Sequence, residues 1–334
     1  MSKSLSKFAA AVVIYAVFAI YLYQPYFEHF RNLQYLIIVN VSLASMGCFV
    51  LSRRWVASFW GSFFAGAVYG FGPFVLWLSG YHPTAGFLAA SVPWLFCPAA
   101  YGGRDKWWIS IPFSTLPFLA TILFFQAAAH WRLFAVPLQT RLHLTDLAGL
   151  LVPLATVNTG SPLIGFYHVP IAALVIGFMM LLAARRMGVL CIFAAGAAAA
   201  FCDSFFGVSP AIWLMLPVLC CSVLIGLGMQ GLVSAGSADR KWVLAGAILM
   251  LALAVIALLL ATEYFQVFAG IGNKYAGCLA ETAKMYILGA VAAAILFFMA
   301  RAKLRMHWLR WLILCSATAV DIFFGAGLIV DRIF

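Results

Sequence analysis

A chain of 334 residues in which 66% are hydrophobic, 9% are charged and the mean hydropathy is +1.07 cannot be a soluble globular domain; it reads as a polytopic membrane protein. The net charge of +11 would suit nucleic acid, but the basic residues stand in small clusters between apolar runs, the pattern that the positive-inside rule produces, so nucleic acid is excluded as a partner. The eight cysteines form no Cys-x-x-Cys pair, which excludes zinc-ribbon and thioredoxin-like chemistry.

A bilayer core of about 30 Å takes roughly 20 apolar residues as helix. Eleven stretches predict spans, at about 8–24, 34–52, 56–79, 85–102, 107–129, 168–184, 188–202, 210–233, 242–262, 284–300 and 308–328. The expected fold is therefore all-α, a single membrane domain over 1–334. The first span follows Lys3 and Lys7 and has no small-residue cleavage site after it, so it reads as an uncleaved helix. A short loop, Gln24 to Asn32, carries Glu28 and His29 to the second span. Arg53 and Arg54 then introduce a helical hairpin whose tip is Tyr81-His82-Pro83, closed by Arg104 and Lys106. Inside its outgoing helix, Gly70-Phe71-Gly72-Pro73 predicts a break, because Pro73 removes a backbone donor. Membrane depth tolerates such a break only where protein or a water cavity covers it.

The longest stretch outside the spans is His130 to Tyr167. Its first part mixes Trp131, Leu133, Phe134 and Leu138 with Arg132, Arg141 and His143, as in a segment lying in the outer interface. Its second part is too apolar for an aqueous loop and too interrupted, by Pro153, Asn158, Gly160 and Pro162, for a span. It reads as re-entrant or cavity-lining. Further on, Gly226 and Gly228 suit close helix packing better than nucleotide binding.

With the amino terminus inside, Lys3, Lys7, Arg53, Arg54, Arg104, Lys106, Arg185, Arg186, Arg240, Lys241, Arg301, Lys303, Arg305 and Arg310 fall on the inner side. Only Arg31, Arg132, Arg141, Lys274, Lys284 and Arg332 fall outside, a bias that supports a cytoplasmic amino terminus and an external carboxy terminus. The expected location is a bacterial inner membrane, with membrane lipids as partners. Most acids, and five of the six histidines (His29, His82, His130, His143 and His168), collect on the outer side.

Candidate functional residues follow from this distribution. Glu28 is either a solvated charge in an aromatic loop or a carboxylate able to take a proton from an acceptor hydroxyl. Arg132, Arg141 and His143, with His82 at the hairpin tip, either hold a lipid phosphate or snorkel among headgroups. Asp321 stands alone in an apolar span, where a carboxylate needs a partner on a neighbouring helix, such as Lys284, or serves an ion or proton relay. Cys202 and Cys278, both near the outer face, are a disulfide or two free thiols. No metal site is assigned and no cofactor is expected, although a divalent ion beside Glu28 stays open.

The hairpin resembles a pattern of GT-C-type membrane glycosyltransferases and their YfhO-like relatives. The residues that carry it are Arg53-Arg54, Ala65 to Pro73, His82-Pro83 and Val92-Pro93-Trp94, with a second similar stretch from Leu144 to Pro153 and a third at Pro217 and Gly226-Leu227-Gly228. The resemblance covers about 50–235; it implies a GT-C-like part over about 1–235 and additional helices over 236–334. It further implies an outward-facing site and a polyprenyl-phosphate sugar donor, with Glu28 as the candidate catalytic acid. The first outer loop is far shorter than that family's acidic loop. Two other readings therefore stand beside glycosyl transfer, a secondary transporter or lipid-handling channel and a non-catalytic membrane subunit.

Overall fold

The computed structural model describes residues 2–30, 33–101, 107–135, 163–184, 187–236, 239–267, 273–302 and 306–334, with a few positions between 142 and 152. The described secondary structure is helical. It begins with α1 (Ser2–Tyr23), a 3₁₀ helix (Gln24–His29), α2 (Leu36–Ser52), α3 (Phe59–Gly70), α4 (Pro73–Tyr81), α5 (Pro83–Tyr101) and α6 (Trp107–His130). It continues with α7 (His168–Ala183), α8 (Met187–Ala200), α9 (Pro210–Trp213), α10 (Met215–Ser234), α11 (Arg240–Val267), α12 (Asn273–Arg301) and α13 (His307–Ile333). Each predicted span coincides with a helix or, for α3–α4 and α9–α10, with a helix pair. Six of these helices or helix pairs are long and apolar enough to cross a membrane: Ser6–Glu28, Phe59–Tyr81, Pro210–Ser234, Arg240–Thr262, Ala276–Arg301 and His307–Ile333. The helices α2, α7, α8 and the described apolar part of α6 are shorter.

Two of the breaks fall at proline. Pro73 opens α4 as its first residue, and Phe71 and Gly72 between α3 and α4 turn their amides back on Ala67 and Tyr69. Pro217 cannot donate to Trp213, the residue at which α9 ends. Inside α5, Pro93 strips the donor from the carbonyl of Ala89, and the Tyr69 hydroxyl from α3 replaces it at 2.8 Å. Ser58 starts α3 by accepting the Gly61 amide, while Gln230 of α10 accepts the amides of Ala57 and Ser58 at 2.8 and 3.2 Å.

The α3–α4 span is the centre of the bundle, 94% buried, and α10 lies against it, 83% buried; α1 and α11 stand at the periphery at 28% and 39%. Small residues permit the central contacts. A Cβ on Gly61 would meet the Gly226 carbonyl at 2.8 Å, and one on Gly228 would meet the Ala173 carbonyl at 1.7 Å. The glycines of α10 thus carry backbone-to-backbone packing against α3 and α7. The peripheral helices expose long apolar side chains, among them Val13 and Val17 of α1 and Ile248 and Leu259 of α11, as lipid-facing surfaces do.

Candidate functional site

Two clusters of chemistry-bearing side chains stand out. The first lies at the end of the bundle that the charge distribution assigns to the outside. There the turn between α4 and α5 faces the start of α2 across a cleft of about 520 Å³, lined by Leu33, Gln34 and Ile37 on one wall and by Ser79, Gly80, Tyr81, His82 and Pro83 on the other. The turn is held firmly. Asn40 donates to the Pro83 carbonyl at 2.6 Å. His82 caps α5, its Nδ1 accepting the Thr84 amide at 3.2 Å and standing 2.8 Å from the Thr84 hydroxyl. Because an amide can only donate, Nδ1 is the acceptor and the ring proton sits on Nε2. The Ser79 hydroxyl is buried with no partner among the described residues.

The segment that follows Arg132 reaches the same corner. Just beyond α6, Phe134 stacks on Phe87 with centroids 6.3 Å apart, and the Ala135 amide donates to Thr84 at 3.0 Å. Arg132 itself is exposed and adopts φ 51°, a left-handed conformation that costs a non-glycine residue about 1 kcal/mol or more. His143 is exposed, and its neighbour Leu142 donates to the Ala200 carbonyl at 3.0 Å. Arg141 lies outside the described residues, as does most of the segment read as re-entrant; its described end, 163–167, is extended and buried. Glu28 is exposed on the 3₁₀ helix and is not among the residues lining the cleft. Its neighbour Tyr26 donates to the Asp331 carboxylate, and Phe334 packs on Tyr23, Tyr26 and Phe30. All eight cysteines are free thiols, so Cys202 and Cys278 are not bridged. No group of three or more metal-ligating side chains occurs among the described residues.

The second cluster is buried. The helix α7 begins inside the bundle, after the extended stretch 163–167, and its first amides need acceptors there. Pro170 removes one requirement by having no amide hydrogen. Asp321 of α13 meets another, accepting the Val169 amide on Oδ2 at 2.6 Å, and its Oδ1 lies 3.0 Å from His168 Nδ1. A carboxylate at a helix amino terminus is also favoured by the peptide dipoles. The His168 ring meets Tyr286 of α12 edge to face, centroids 4.9 Å apart. Next to it, the Tyr167 hydroxyl donates to the Phe71 carbonyl in the α3–α4 break, so protein covers the break. Asp321 and His168 are 0% and 1% exposed. Asp331 lies ten positions after Asp321, which puts the pair about 15 Å from the carboxy-terminal end of α13.

Two sequence expectations change here. His168 is not an outer-surface histidine but the buried partner of Asp321. Lys284 does not serve Asp321; it pairs with Glu281 at 2.6 Å on the exposed face of α12. Local sequence held no sign of the pairing, because the two residues are 153 positions apart and only the packing of α7 against α13 joins them. Compared with known proteins, the chain matches no family model, no curated protein and no solved structure.

Proposed function

We propose that the protein handles a lipid-linked sugar, carried on a polyprenyl phosphate, at the outer membrane face, and that transfer of the sugar is its chemistry. The observation behind this reading is the cleft between the α4–α5 turn and the start of α2. Leu33 and Tyr81 offer exposed apolar surface, while Gln34 and His82 offer polar groups, which suits a ligand with a lipid chain and a polar head. The Nε2 proton of His82 would donate to a phosphate or sugar oxygen, and Arg132, tied to the same turn through Ala135 and Thr84, supplies positive charge beside it. The resemblance of the hairpin to GT-C-type enzymes points the same way. Glu28 would act as the base on an acceptor hydroxyl bound between the 3₁₀ helix and the cleft.

The test is sugar transfer from a polyprenyl-phosphate donor by the protein in liposomes. General-base catalysis is worth about 10²–10⁴ in rate, so Glu28→Gln should lose roughly that factor in turnover, while His82→Phe should weaken donor binding. Full activity in Glu28→Gln would remove Glu28 from the chemistry, and unchanged donor binding in His82→Phe would remove the cleft.

A further inference from the structure

The His168–Asp321 pair is more than a helix cap. Capping α7 needs one acceptor oxygen, which Asp321 Oδ2 provides to Val169, and an uncharged Asn would provide it as well. Instead a carboxylate and an imidazole meet at membrane depth, where charge is expensive and two titrating groups must settle how many protons they hold together. The pair has three positions for protons: the carboxylate, Nδ1 and Nε2. Holding two, it is neutral overall, whether as imidazole with carboxylic acid or imidazolium with carboxylate. Holding one, it is an anion offset only by the amino-terminal end of α7.

Among the described residues, the helices around the pair supply no fixed counter-charge beside it. The sequences of α3, α4 and α10 contain no Asp, Glu, Lys or Arg; the two thiols of α10, Cys220 and Cys221, are its titratable groups. On α13, Arg310 lies three turns away and is bonded to the carbonyls of Val233 and Ala235. The charged residues of α11 sit at its ends, Arg240 and Lys241 at one and Glu263 at the other, and those of α1 are Lys3 and Lys7 at its start. Tyr167 just before α7, Tyr286 of α12 and, farther off, Tyr23 of α1 are titratable neighbours. Exchanging a proton is therefore the means open to the pair for changing its charge.

Polar groups on α12 mark a direction toward it. His168 Nε2 is buried with no partner among the described residues, and so is the hydroxyl of Thr282. Thr282 stands one turn before Tyr286 on α12, between the positions of the exposed Glu281–Lys284 pair. Thus α12 carries a solvated ion pair on its exposed face and, on its buried face, a hydroxyl without a partner among the described residues followed one turn later by the phenol whose ring meets His168.

We propose that His168 and Asp321 form a proton-binding site at membrane depth, loaded from the outer face along Thr282 and Tyr286. Loading transfers one proton from external water to the pair and takes it from anion to neutral; unloading returns that proton to water, and no other bond is made or broken. This site stands whether or not the outer cleft holds a lipid-linked sugar.

The test is solid-state NMR on the full chain in lipid bilayers, with nitrogen-15 in histidine and carbon-13 in tyrosine. The His168 ring is identified by its through-space contact with Tyr286, so the assignment needs no variant. Its ring nitrogens should shift in a pH series, and its ring proton should exchange with added D₂O. Asp321→Asn, which keeps the acceptor for Val169, should abolish or displace that titration. Thr282→Val should slow the exchange and leave the titration in place. A His168 ring that holds one protonation form throughout and does not exchange would reduce the pair to a structural cap. A titration unchanged in Asp321→Asn would remove the carboxylate from the site, and unchanged exchange in Thr282→Val would overturn the route.

Discussion

At the scale of single residues, some polar side chains of this protein repair backbone that proline or a helix end has left without partners. Tyr69 is the clearest case, its hydroxyl standing in for the amide hydrogen that Pro93 lacks. Tyr69→Phe should cost about 1 kcal/mol in equilibrium unfolding from mixed detergent micelles. In a Pro93→Ala background the new amide can reach the Ala89 carbonyl, so the same change should cost measurably less; equal costs in both backgrounds would refute the repair. Tyr26 is a different case. Partial burial first, then the hydrogen bond and the charge of Asp331, push its phenol up to about 12. The folded state thus holds this proton more tightly than the unfolded chain, whose phenol titrates near 10. The associated stability is complete below about pH 10 and is lost as the pH rises through about 12. In a spectrophotometric titration, with Tyr26→Phe subtracted, Tyr26 should ionise late, and Asp331→Asn should bring it earlier.

At the scale of elements, α13 and α10 do the joining. On α13, Arg310, Leu314, Ala317, Thr318, Asp321, Gly325 and Ile329 are buried at spacings of three and four and so form one stripe. Arg310 and Asp321 are therefore on the same face. Arg310 holds the last carbonyls of α10 at 3.1 and 2.7 Å, and Asp321 holds the first free amide of α7. One helix thus terminates two others with charges of the sign that each end attracts. On α10, Gly228 allows backbone contact with α7. Gly228→Ala would place a methyl group 1.7 Å from the Ala173 carbonyl, forcing the helices apart, and should destabilise by about 1–3 kcal/mol. Gly246→Ala meets only Ala172, at 3.8 Å, and should stay within about 0.5 kcal/mol in the same assay.

At the scale of the molecule, segments that charge counting puts on one side touch one another. Gly80 meets Ile333, Thr84 meets Ala135, Gln126 meets Phe206, and Phe334 meets Tyr23. At the other end Arg54 bonds Ala100, Gln230 bonds Ala57, and Arg310 bonds Val233. The fold and the positive-inside bias therefore agree on which loops share a side. With single cysteines on a cysteine-free background, an impermeant thiol reagent should label positions 80–84 from outside and reach 236–240 only after permeabilisation. External labelling of 236–240 would reverse the orientation.

The sequence by itself determined the helices and the break at Pro73, but not the interruption between α9 and α10 within the stretch read as one span. Apolar run length sets the spans, and proline at 73 interrupts one of them, because both act through the local backbone. It also marked His82 and Arg132 as groups of one side, since charge clusters report sidedness along the chain. What it could not determine was which side chains meet. Asp321 announced itself as an acid in need of a partner, but His168 looked like the last residue of an outer loop, and Lys284 was an equally good candidate by position. The approach of α13 to the buried start of α7 decided between them, through one amide and one imidazole that nothing in the intervening 153 positions foretells. Likewise Glu28 is the acid of the first outer loop, yet the tertiary structure builds the described cleft from the residues after it and from the α4–α5 turn, because Leu33, Ile37 and Pro83, not the solvated carboxylate, have apolar surface to bring together.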